Sequence, residues 1–499
     1  MTPVTPHGNT RRLAALLVVF LIVRVILLIF LPHQDPSEAR YAEIARKMVE
    51  TGDWITPQHA YGVPFWAKPP LSMWMSALGM EIFGVNEFGS RFFIFIAALV
   101  ILFLVGRFAW REWSLSSGLT AAVILLAMPL FFYCSGAVMT DTALLLGTTL
   151  SMISFIHAVR KDGSRAWGYL FFAGLAVGLL AKGPLVLVIV SPPLLAWTIF
   201  SGAWPRTWDS IPWLTGPLLM AAVVLPWYSL AEQRTPGFID YFIVGEHWNR
   251  FFRSGWTGDL YGKAHAVPPG MIWIFLILTT LPWCLGFLSL PFNRWRDSVT
   301  WARKDDGLGF YLIMWAFWPI VFFTPARNVI LTYPLPALPA IALLLAWLHC
   351  GHLKDSPARR FHPLHPALVT VSLLIVLAFT TMSLFFPERS PKHSERELAR
   401  VYRDLHGPQD PLLYFGRRRY SAEFYTSGAA IHTRSLDELV NYLERPGTLF
   451  LAIPEEDHDA LPEGIQRRLR IMRSFEGQMS LYQEIPPDYS QTPSHPTSY

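Results

Sequence analysis

The stretch LAALLVVFLIVRVILLIFL, residues 13–31, is apolar except for Arg24 and directly follows the cationic pair Arg11 and Arg12. About 20 helical residues cross the hydrocarbon core of a bilayer, so this stretch is long enough for one transmembrane helix. A signal peptide is the alternative, but its apolar part would be shorter and a small-residue cleavage site would follow it. The stretch therefore predicts a first transmembrane helix in which Arg24 faces protein rather than lipid.

The composition of the whole chain agrees with this interpretation. Of 499 residues, 52% are hydrophobic and 15% are charged, whereas soluble domains carry about 25% charged residues. This excludes an ordinary soluble enzyme, a disordered protein and a collagen-like fibre. The net charge of +5 does not indicate a nucleic-acid partner, because no basic patch is interleaved with aromatic residues on a polar element. The three cysteines have no C-x-x-C spacing, so neither a disulfide framework nor a zinc site is expected.

Further apolar segments bring the expected total to about eleven spans, which defines a polytopic α-helical membrane protein. They cover residues 90–110, 118–136, 140–159, 167–182, 184–200, 211–230, 269–290, 308–325, 329–349 and 366–386. With a cytoplasmic N-terminus, the short inner segments hold fifteen Lys and Arg residues, and the short outer connections hold only Lys182 and Arg327. This asymmetry follows the positive-inside rule, and an odd number of spans places the C-terminal region on the outer side.

Three polar segments are expected on the outer side: residues 33–89, residues 231–268 and everything after residue 387. In the first segment, apolar residues recur at helical spacing and predict an amphipathic helix in the interface plane. These residues are Tyr41, Ile44, Ala45, Met48 and Val49.

The C-terminal region predicts a small soluble α/β domain over residues 388–485, after a membrane domain over residues 1–387. Residues 411–415 and 448–453 are strand-like, and residues 393–405 and 435–444 are helix-like with polar faces. Residues 486–499 are rich in Pro, Ser and Thr and predict a disordered tail.

Ionisable residues at a membrane boundary are costly, so they are candidates for function. On the predicted map they collect on the outer side: Asp35, Glu38, Arg40, Lys68, Asp141, Lys182, Arg250 and Arg327. Carboxylates and cations at one water–lipid boundary suit an anionic lipid headgroup and a reaction upon it.

Each candidate also has a structural interpretation, and spacing does not decide between the two. Asp35 and Glu38 either cap the next helix or act as a general base or a cation-binding acid. Lys68 either snorkels to the interface or binds a phosphate. Asp141 and Lys182 each suit a helix dipole as well as a site. Glu246 and Arg250 are four residues apart, which suits a salt bridge as well as a phosphate-binding arginine.

Several short motifs occur in an order that resembles a known family. They are Arg40-Tyr-Ala-Glu-Ile-Ala-Arg-Lys-Met48, Gly52-Asp-Trp54, Lys68-Pro-Pro70, Lys182-Gly-Pro184, Leu225-Pro-Trp-Tyr228, Pro236-Gly-Phe238, Glu246-His247 with Arg250-Phe251, and Tyr333-Pro-Leu-Pro336. Together they resemble the lipid A 4-amino-4-deoxy-L-arabinose transferases, which belong to the GT-C membrane glycosyltransferases and are related to protein O-mannosyltransferases. The resemblance runs from about residue 12 to residue 386, with a fainter echo in Ser421-Ala-Glu-Phe-Tyr425.

The resemblance implies a GT-C fold and a transferase that uses a sugar carried on a polyprenyl phosphate. The sugar would move, at the periplasmic face of a bacterial inner membrane, onto lipid A or another envelope acceptor. By matching position, Lys68 and Arg250 hold the carrier phosphate, and Asp35 or Glu38 with Asp141 supplies the catalytic acids. The remaining substrate-binding residues implied by position are Tyr41, Lys182, His247 and Tyr333.

This chain departs from the family pattern at three places. Ser37 with Glu38 stands where the family usually has Asp-Glu, and Asp35 lies two positions before that pair. Ala67 replaces a glutamate implicated in binding a divalent metal, so no cofactor is certain and metal dependence is left open. Val329 stands near the place of a common lysine. These changes suggest a different sugar or acceptor from aminoarabinose and lipid A.

Two other classes of function compete with a transferase. A lipid-linked sugar transporter would also bind a polyprenyl phosphate, but it predicts polar residues through the full depth of the bilayer. Apart from Arg24, this chain concentrates them at one face. A scaffold role for the outer domain leaves the clustered acids and cations unexplained. The sequence names neither the sugar nor the acceptor.

Overall fold

The computed structural model describes residues 6–160, 164–253, 256–262, 266–289, 305–350, 366–385, 394–407, 410–445, 447–475 and 479–485. The chain divides into two compact units. The first comprises Met1–Ile29 with Lys47–Ala378, and the second comprises Phe30–Arg46 with Phe379–Tyr499. The predicted tail at residues 486–499 lies outside the described residues.

Helices make up most of the first unit. In chain order they are α1 (Pro6–Phe30), α2 (Ser37–Thr51, shared with the second unit), α3 (Leu71–Phe83), α4 (Glu87–Glu112), α5 (Leu115–Ala127), α6 (Pro129–Cys134), α7 (Thr140–Val159), α8 (Arg165–Lys182), α9 (Leu185–Phe200), α10 (Trp204–Ser210), α11 (Thr215–Arg234), a π-helix (Asp240–Asn249), α12 (Arg250–Phe252), α13 (Met271–Thr280), α14 (Leu308–Phe323), α15 (Leu338–Cys350) and α16 (Pro366–Phe385). A short hairpin, β1 (Gln58–Ala60) and β2 (Val63–Pro64), follows α2.

Within the described residues, three helical segments are long and apolar enough to cross a membrane: Thr10–Phe30, Glu87–Glu112 and Thr140–Val159. The pair α10 and α11, bent by 59°, adds a fourth span if it is counted as one. The other apolar helices are shorter. The apolar helices fit a membrane protein, but the expected count of about eleven spans is not confirmed.

Proline explains why several predicted spans are shorter in the structure. The segment expected at 118–136 is divided into α5 and α6, and Pro129 occupies the start of α6. The segment expected at 269–290 leaves the α-helix after Thr280, just before Pro282. Proline lacks an amide hydrogen and clashes with the preceding turn, which explains the interruptions at these two positions.

The first helix has the surface expected of a membrane span. Phe20 and Leu27 are buried, whereas Ile22 is 54% exposed and Phe30 is 58% exposed. Arg24 is 2% exposed, and its Nη2 donates to the backbone oxygen of Tyr133 over 3.0 Å. The prediction that Arg24 faces protein is confirmed, because a guanidinium at this depth requires polar partners inside the protein.

Close packing of α7 against α8 brings two charged residues together. A Cβ atom on Gly147 would lie 2.6 Å from the backbone nitrogen of Gly178, so only glycine allows this approach. Small residues let helices approach closely in membrane proteins. Asp141 lies at the start of α7 and Lys182 at the end of α8, and this packing sets the two side chains beside each other.

The second unit contains a five-stranded sheet with the order β4-β3-β5-β7-β6. Its strands are β3 (Leu412–Phe415), β4 (Ala430–Thr433), β5 (Phe450–Ile453), β6 (Leu469–Arg473) and β7 (Ser480–Glu484). β3 pairs in parallel with β4 and β5, and β7 pairs antiparallel with β5 and β6. Strands and helices therefore occur where the sequence predicts a small α/β region.

Helices of the second unit cover this sheet. They are α17 (Arg396–Leu405), α18 (Tyr420–Tyr425), α19 (Leu436–Leu443), α20 (Glu455–Asp459) and α21 (Glu463–Gln466). Alternate residues of β3 face opposite sides, so that Leu412 and Tyr414 join one apolar core and Leu413 joins another. Two apolar layers thus enclose the sheet.

Helix α2 differs from the amphipathic interfacial helix that the sequence predicts. Tyr41 and Met48 are buried as expected, but Glu43, Arg46 and Lys47 on its other faces are buried too. Arg46 donates to both carboxylate oxygens of Glu43 at 2.6 and 2.8 Å. Most of the helix before Glu50 is therefore buried, its charged residues included, because paired charges can be buried where unpaired ones cannot.

Candidate functional site

Two predicted phosphate-binding cations of the first unit meet at one carboxylate. Lys68 Nζ lies 2.8 Å from Glu246 Oε2, and Arg250 Nη1 lies 2.9 Å from the same oxygen. The Glu246 side chain is 2% exposed, whereas those of Lys68 and Arg250 are 19% and 24% exposed. The two cations, called the cation pair below, therefore remain partly accessible while the carboxylate that joins them is covered.

The π-helix carries Glu246 and His247, and Arg250 follows directly as the first residue of α12. π-Helical turns are rare and are frequent at functional sites. Arg250 also lies 3.6 Å from Asp259 Oδ2, measured from its Nη2. Tyr241 donates its hydroxyl to Glu246 Oε1 over 3.3 Å. Both ends of the arginine fork are thus held by carboxylates.

The positive charges of Lys68 and Arg250 keep Glu246 ionised despite its burial. Burial raises the pKa of this carboxyl, but the charges of Lys68 and Arg250 and their hydrogen bonds lower it further, to about 2. Burial lowers the pKa of Arg250, and Glu246, Tyr333 and Asp259 more than offset this, so the pKa is raised overall. The site therefore holds permanent charges at neutral pH.

A second ion pair lies at the ends of α7 and α8. Lys182 Nζ lies 2.9 Å from Asp141 Oδ1, and both side chains are less than 10% exposed. The ring centre of Tyr333 lies 5.4 Å from Lys182 Nζ, within the range of a cation–π contact. The structure thus brings together three of the predicted residues: Asp141, Lys182 and Tyr333.

His247 connects the π-helix to the end of α8. Its Nε2 lies 3.1 Å from the backbone oxygen of Lys182, and its Nδ1 lies 2.7 Å from the backbone oxygen of Phe242. Gly183 follows Lys182 with φ of +69°, and a Cβ atom there would meet the Phe242 ring at 2.5 Å. The left-handed glycine and the histidine together let the π-helix approach α8.

The predicted acid Asp35 lies in the second unit and holds the start of α18. Its Oδ1 accepts the amide hydrogens of Tyr420 at 2.9 Å and of Ser421 at 3.2 Å, and the Ser421 hydroxyl donates to Oδ2. Burial raises the pKa of Asp35 to about 6, although the Ser421 hydrogen bond and the charge of Arg419 oppose the rise. Asp35 thus caps a helix that lies far from it along the chain, and its carboxyl has a pKa near neutral.

Of the other predicted residues near Asp35 in the second unit, Glu38 and Tyr41 are buried and Arg40 is half-buried. The backbone amide of Gln34 donates to Glu38 Oε2 over 3.3 Å, and His33 Nδ1 lies 3.7 Å from Glu38 Oε1. The guanidinium of Arg40 lies 5.5 Å from the ring centre of Tyr41.

A second buried carboxyl in this unit, Glu395, should make its stability depend on pH. Burial raises the pKa of Glu395 to about 7, with the charge of Arg419 opposing and that of Asp35 adding to the rise. A carboxyl whose pKa is higher in the folded than in the unfolded state binds more protons when folded. The second unit should therefore lose stability as pH rises from about 4.5 through 7, and Glu395→Gln should reduce this loss.

Thermal unfolding of the detergent-solubilised protein at pH 5.5 and pH 8 measures this effect. We expect Glu395→Gln to raise Tm by a few degrees at pH 8 and by less at pH 5.5. Glu397→Gln is the matched control, since that side chain lies two residues further along, in the first turn of α17, and is 59% exposed. An equal shift at both pH values, or one shared by the control, would contradict the prediction.

The sequence alone did not identify three residues that surround the cation pair. Asp259, Tyr241 and Tyr261 lie in the polar segment 231–268, and the only signal for them was their place in that segment. Tyr261 donates its hydroxyl to the backbone oxygen of Pro64 over 2.8 Å and accepts the amide hydrogen of Trp66. This tyrosine fixes the segment that carries Lys68.

The part of the chain that the structure describes holds no group of three or more His, Cys, Asp or Glu side chains able to bind a metal ion. Ala67 lies beside Lys68 and offers only its backbone oxygen, which accepts from Lys68 Nζ over 2.6 Å.

The fold matches that of a protein of solved structure. It superposes on the crystal structure of ArnT from Cupriavidus metallidurans bound to undecaprenyl phosphate with a TM-score of 0.75, covering 97% of this chain and 100% of that one at 19% identity. The apo form of the same protein gives 0.73. The family model described as dolichyl-phosphate-mannose-protein mannosyltransferase matches residues 10–242. Fold and apolar helices define a helical membrane protein of the GT-C class.

Relatives specify the family within that class. The undecaprenyl phosphate-alpha-4-amino-4-deoxy-L-arabinose arabinosyl transferase of Pseudomonas savastanoi pv. phaseolicola is 30% identical over 396 residues, which are 78% of this chain and 70% of that protein. The protein of that name from Aeromonas salmonicida is 31% identical over 66% of this chain. The chain belongs to this arabinosyl transferase family. It spans less than two thirds of the length of several of these relatives, including 58% of the Aeromonas salmonicida protein.

Proposed function

We propose that this chain is a membrane glycosyltransferase that moves a sugar from a polyprenyl-phosphate carrier to lipid A or another envelope acceptor. Membership of the arabinosyl transferase family supports the reaction class. The observation that carries the proposal is the cation pair: Lys68 and Arg250 converge within 3 Å of one buried carboxylate and stay partly exposed.

The chemistry of the carrier explains why two converging cations matter. When the bond between the sugar and the carrier phosphate breaks, the phosphate leaves with increased negative charge. Preorganised cations stabilise that charge more in the transition state than in the ground state. The planar fork of Arg250 suits two phosphate oxygens, and Lys68 adds a compact point charge.

Two further predicted roles form part of the proposal. Lys182, Tyr333 and His247 of the first unit bind the substrate, and Tyr41 is a further substrate-binding residue by its position in the family motif. Asp35 or Glu38, together with Asp141, orients or deprotonates the acceptor. The pKa of Asp35 near 6 supports a base that is ionised at neutral pH. If the acceptor is a phosphate oxygen, no strong base is needed. If the acceptor is a hydroxyl, the Asp35 carboxylate matters most, because the hydroxyl must lose its proton.

The placement of the chain in the cell is part of the same proposal. We place it in a bacterial inner membrane with about eleven spans, a cytoplasmic N-terminus and a membrane domain over residues 1–387. Residues 388–485 then form a periplasmic domain, and the membrane lipid is itself a partner. The positive-inside asymmetry of the sequence supports this orientation.

Purified protein in lipid nanodiscs, supplied with an undecaprenyl-phosphate-linked aminoarabinose donor and lipid A, tests the proposal. Mass spectrometry should detect modified lipid A and released undecaprenyl phosphate. Other sugars and envelope acceptors are tested in parallel, because Ala67 and Val329 depart from the family pattern. Donor movement across a vesicle membrane without any glycosyl transfer would instead identify a lipid-linked sugar transporter.

A further inference from the structure

Glu246, the carboxylate that joins the cation pair, is more completely buried than either cation. Its carboxylate contacts Lys68 on one side and Arg250 on the other, and its Oε1 also accepts from Tyr241. Its side chain is 2% exposed. A substrate that enters from the exposed ends of the cations therefore does not need to touch Glu246.

The electrostatics explain what such a residue does. Two cations that converge on one anionic ligand repel each other, and long side chains lose entropy when they are held in one place. An ionised carboxylate between them offsets the repulsion and selects one rotamer of each side chain. Asp259 restrains the other end of the Arg250 fork, at 3.6 Å. Preorganisation of this kind lowers the cost of arranging charges during the reaction.

We propose that Glu246 is a positioning residue that holds Lys68 and Arg250 as a single unit for the carrier phosphate. This inference rests on the proposed function for its kinetic consequence, but the holding of the cation pair can be tested by binding alone. Removing the negative charge keeps both cations in the site but no longer fixes their positions, and it makes the site more positive. Affinity for a phosphate is then retained or increased, while the geometry that favours the transition state is lost.

The kinetic test compares Glu246→Gln with wild type in the transfer assay. We expect kcat to fall by about tenfold or more, with a KM for the donor that does not rise and an equal or stronger inhibition by undecaprenyl phosphate. Glu246→Asp keeps the charge and should recover part of kcat. A purely structural role would instead reduce the amount of active enzyme without this opposite movement of kcat and affinity.

Glu112→Gln is the matched control for the loss of one ion pair. Glu112 pairs with Arg160 at 2.6 Å, with side-chain exposures of 17% and 21%, at the opposite end of α7 from Asp141. It should leave kcat and KM unchanged. An unchanged kcat in Glu246→Gln, or a raised KM with normal kcat, would overturn the inference.

Binding of undecaprenyl phosphate separates this inference from the proposed function. The affinities of Lys68→Ala, Arg250→Ala and the double variant form a double-mutant cycle, measured with Glu246 and again with Glu246→Gln. We expect coupling of about fivefold or more with Glu246 and none with Gln. Equal coupling in both backgrounds overturns the positioning role, whereas absence of transfer by wild type, with this coupling intact, overturns the proposed function alone.

Discussion

Replacing either Lys68 or Arg250 by alanine is expected to lower kcat for sugar transfer by about 10²–10³-fold, the range seen when one preorganised donor is removed from a developing negative charge. The kcat of the double variant should be only slightly lower than that of the more impaired single variant, because the two side chains share one carboxylate and act as a unit. The initial rate of undecaprenyl phosphate release at saturating donor measures the effect.

Arg234→Ala is the control for this prediction. Arg234 is a cation too, at the end of α11, but its side chain is 52% exposed and pairs with Asp53. It should retain normal turnover. Unimpaired turnover in both Lys68→Ala and Arg250→Ala would show that these two residues do not act on the carrier phosphate.

The largest effect on stability is expected at the buried pair Asp141–Lys182. Lys182→Met removes one partner and leaves the Asp141 carboxylate buried without its counter-ion. Breaking a buried pair in this way costs about 3–5 kcal/mol. We expect Tm of the solubilised protein to fall by at least several degrees, and transfer activity to be lost.

The double variant Asp141→Asn/Lys182→Met tests the origin of that cost. It leaves no unpaired charge, so most of the lost Tm should return while activity does not. A double variant as unstable as Lys182→Met would show that packing of the lysine stem, rather than the charge pair, stabilises the helix ends. A double variant with normal activity would remove both residues from the site.

Local patterns of the sequence predicted the main features of the fold. The apolar residues 13–31 predicted α1, and the buried Arg24 confirmed that its charge faces protein. The strand-like runs at 411–415 and 448–453 correspond to β3 and β5. These predictions depend on hydrophobic periodicity and on the cost of burying charge, both of which act over a few neighbouring residues.

The number of membrane spans was harder to predict from hydropathy alone. Hydropathy counts apolar residues, but Pro129 and Pro282 interrupt helices inside apolar runs. Helix α2 shows a similar limit, since its charged residues Glu43 and Arg46 pair with each other inside the protein instead of facing water. Hydropathy describes the side chain and not the partner that makes its burial possible.

The sequence by itself determined that this chain is a helical membrane protein, and its ordered motifs identified the family. It also identified most of the charged residues of the candidate site, because an ionisable residue at a membrane boundary is conspicuous wherever it occurs.

Only the tertiary structure decided how those residues pair. Lys68 and Glu246 are 178 positions apart, and Asp141 and Lys182 are 41 apart. Ion pairs at such separations depend on the approach of α7 to α8 at Gly147 and on the turn of the π-helix, which spacing along the chain does not encode. The same holds for Asp35, whose cap on α18 joins positions separated by 385 residues.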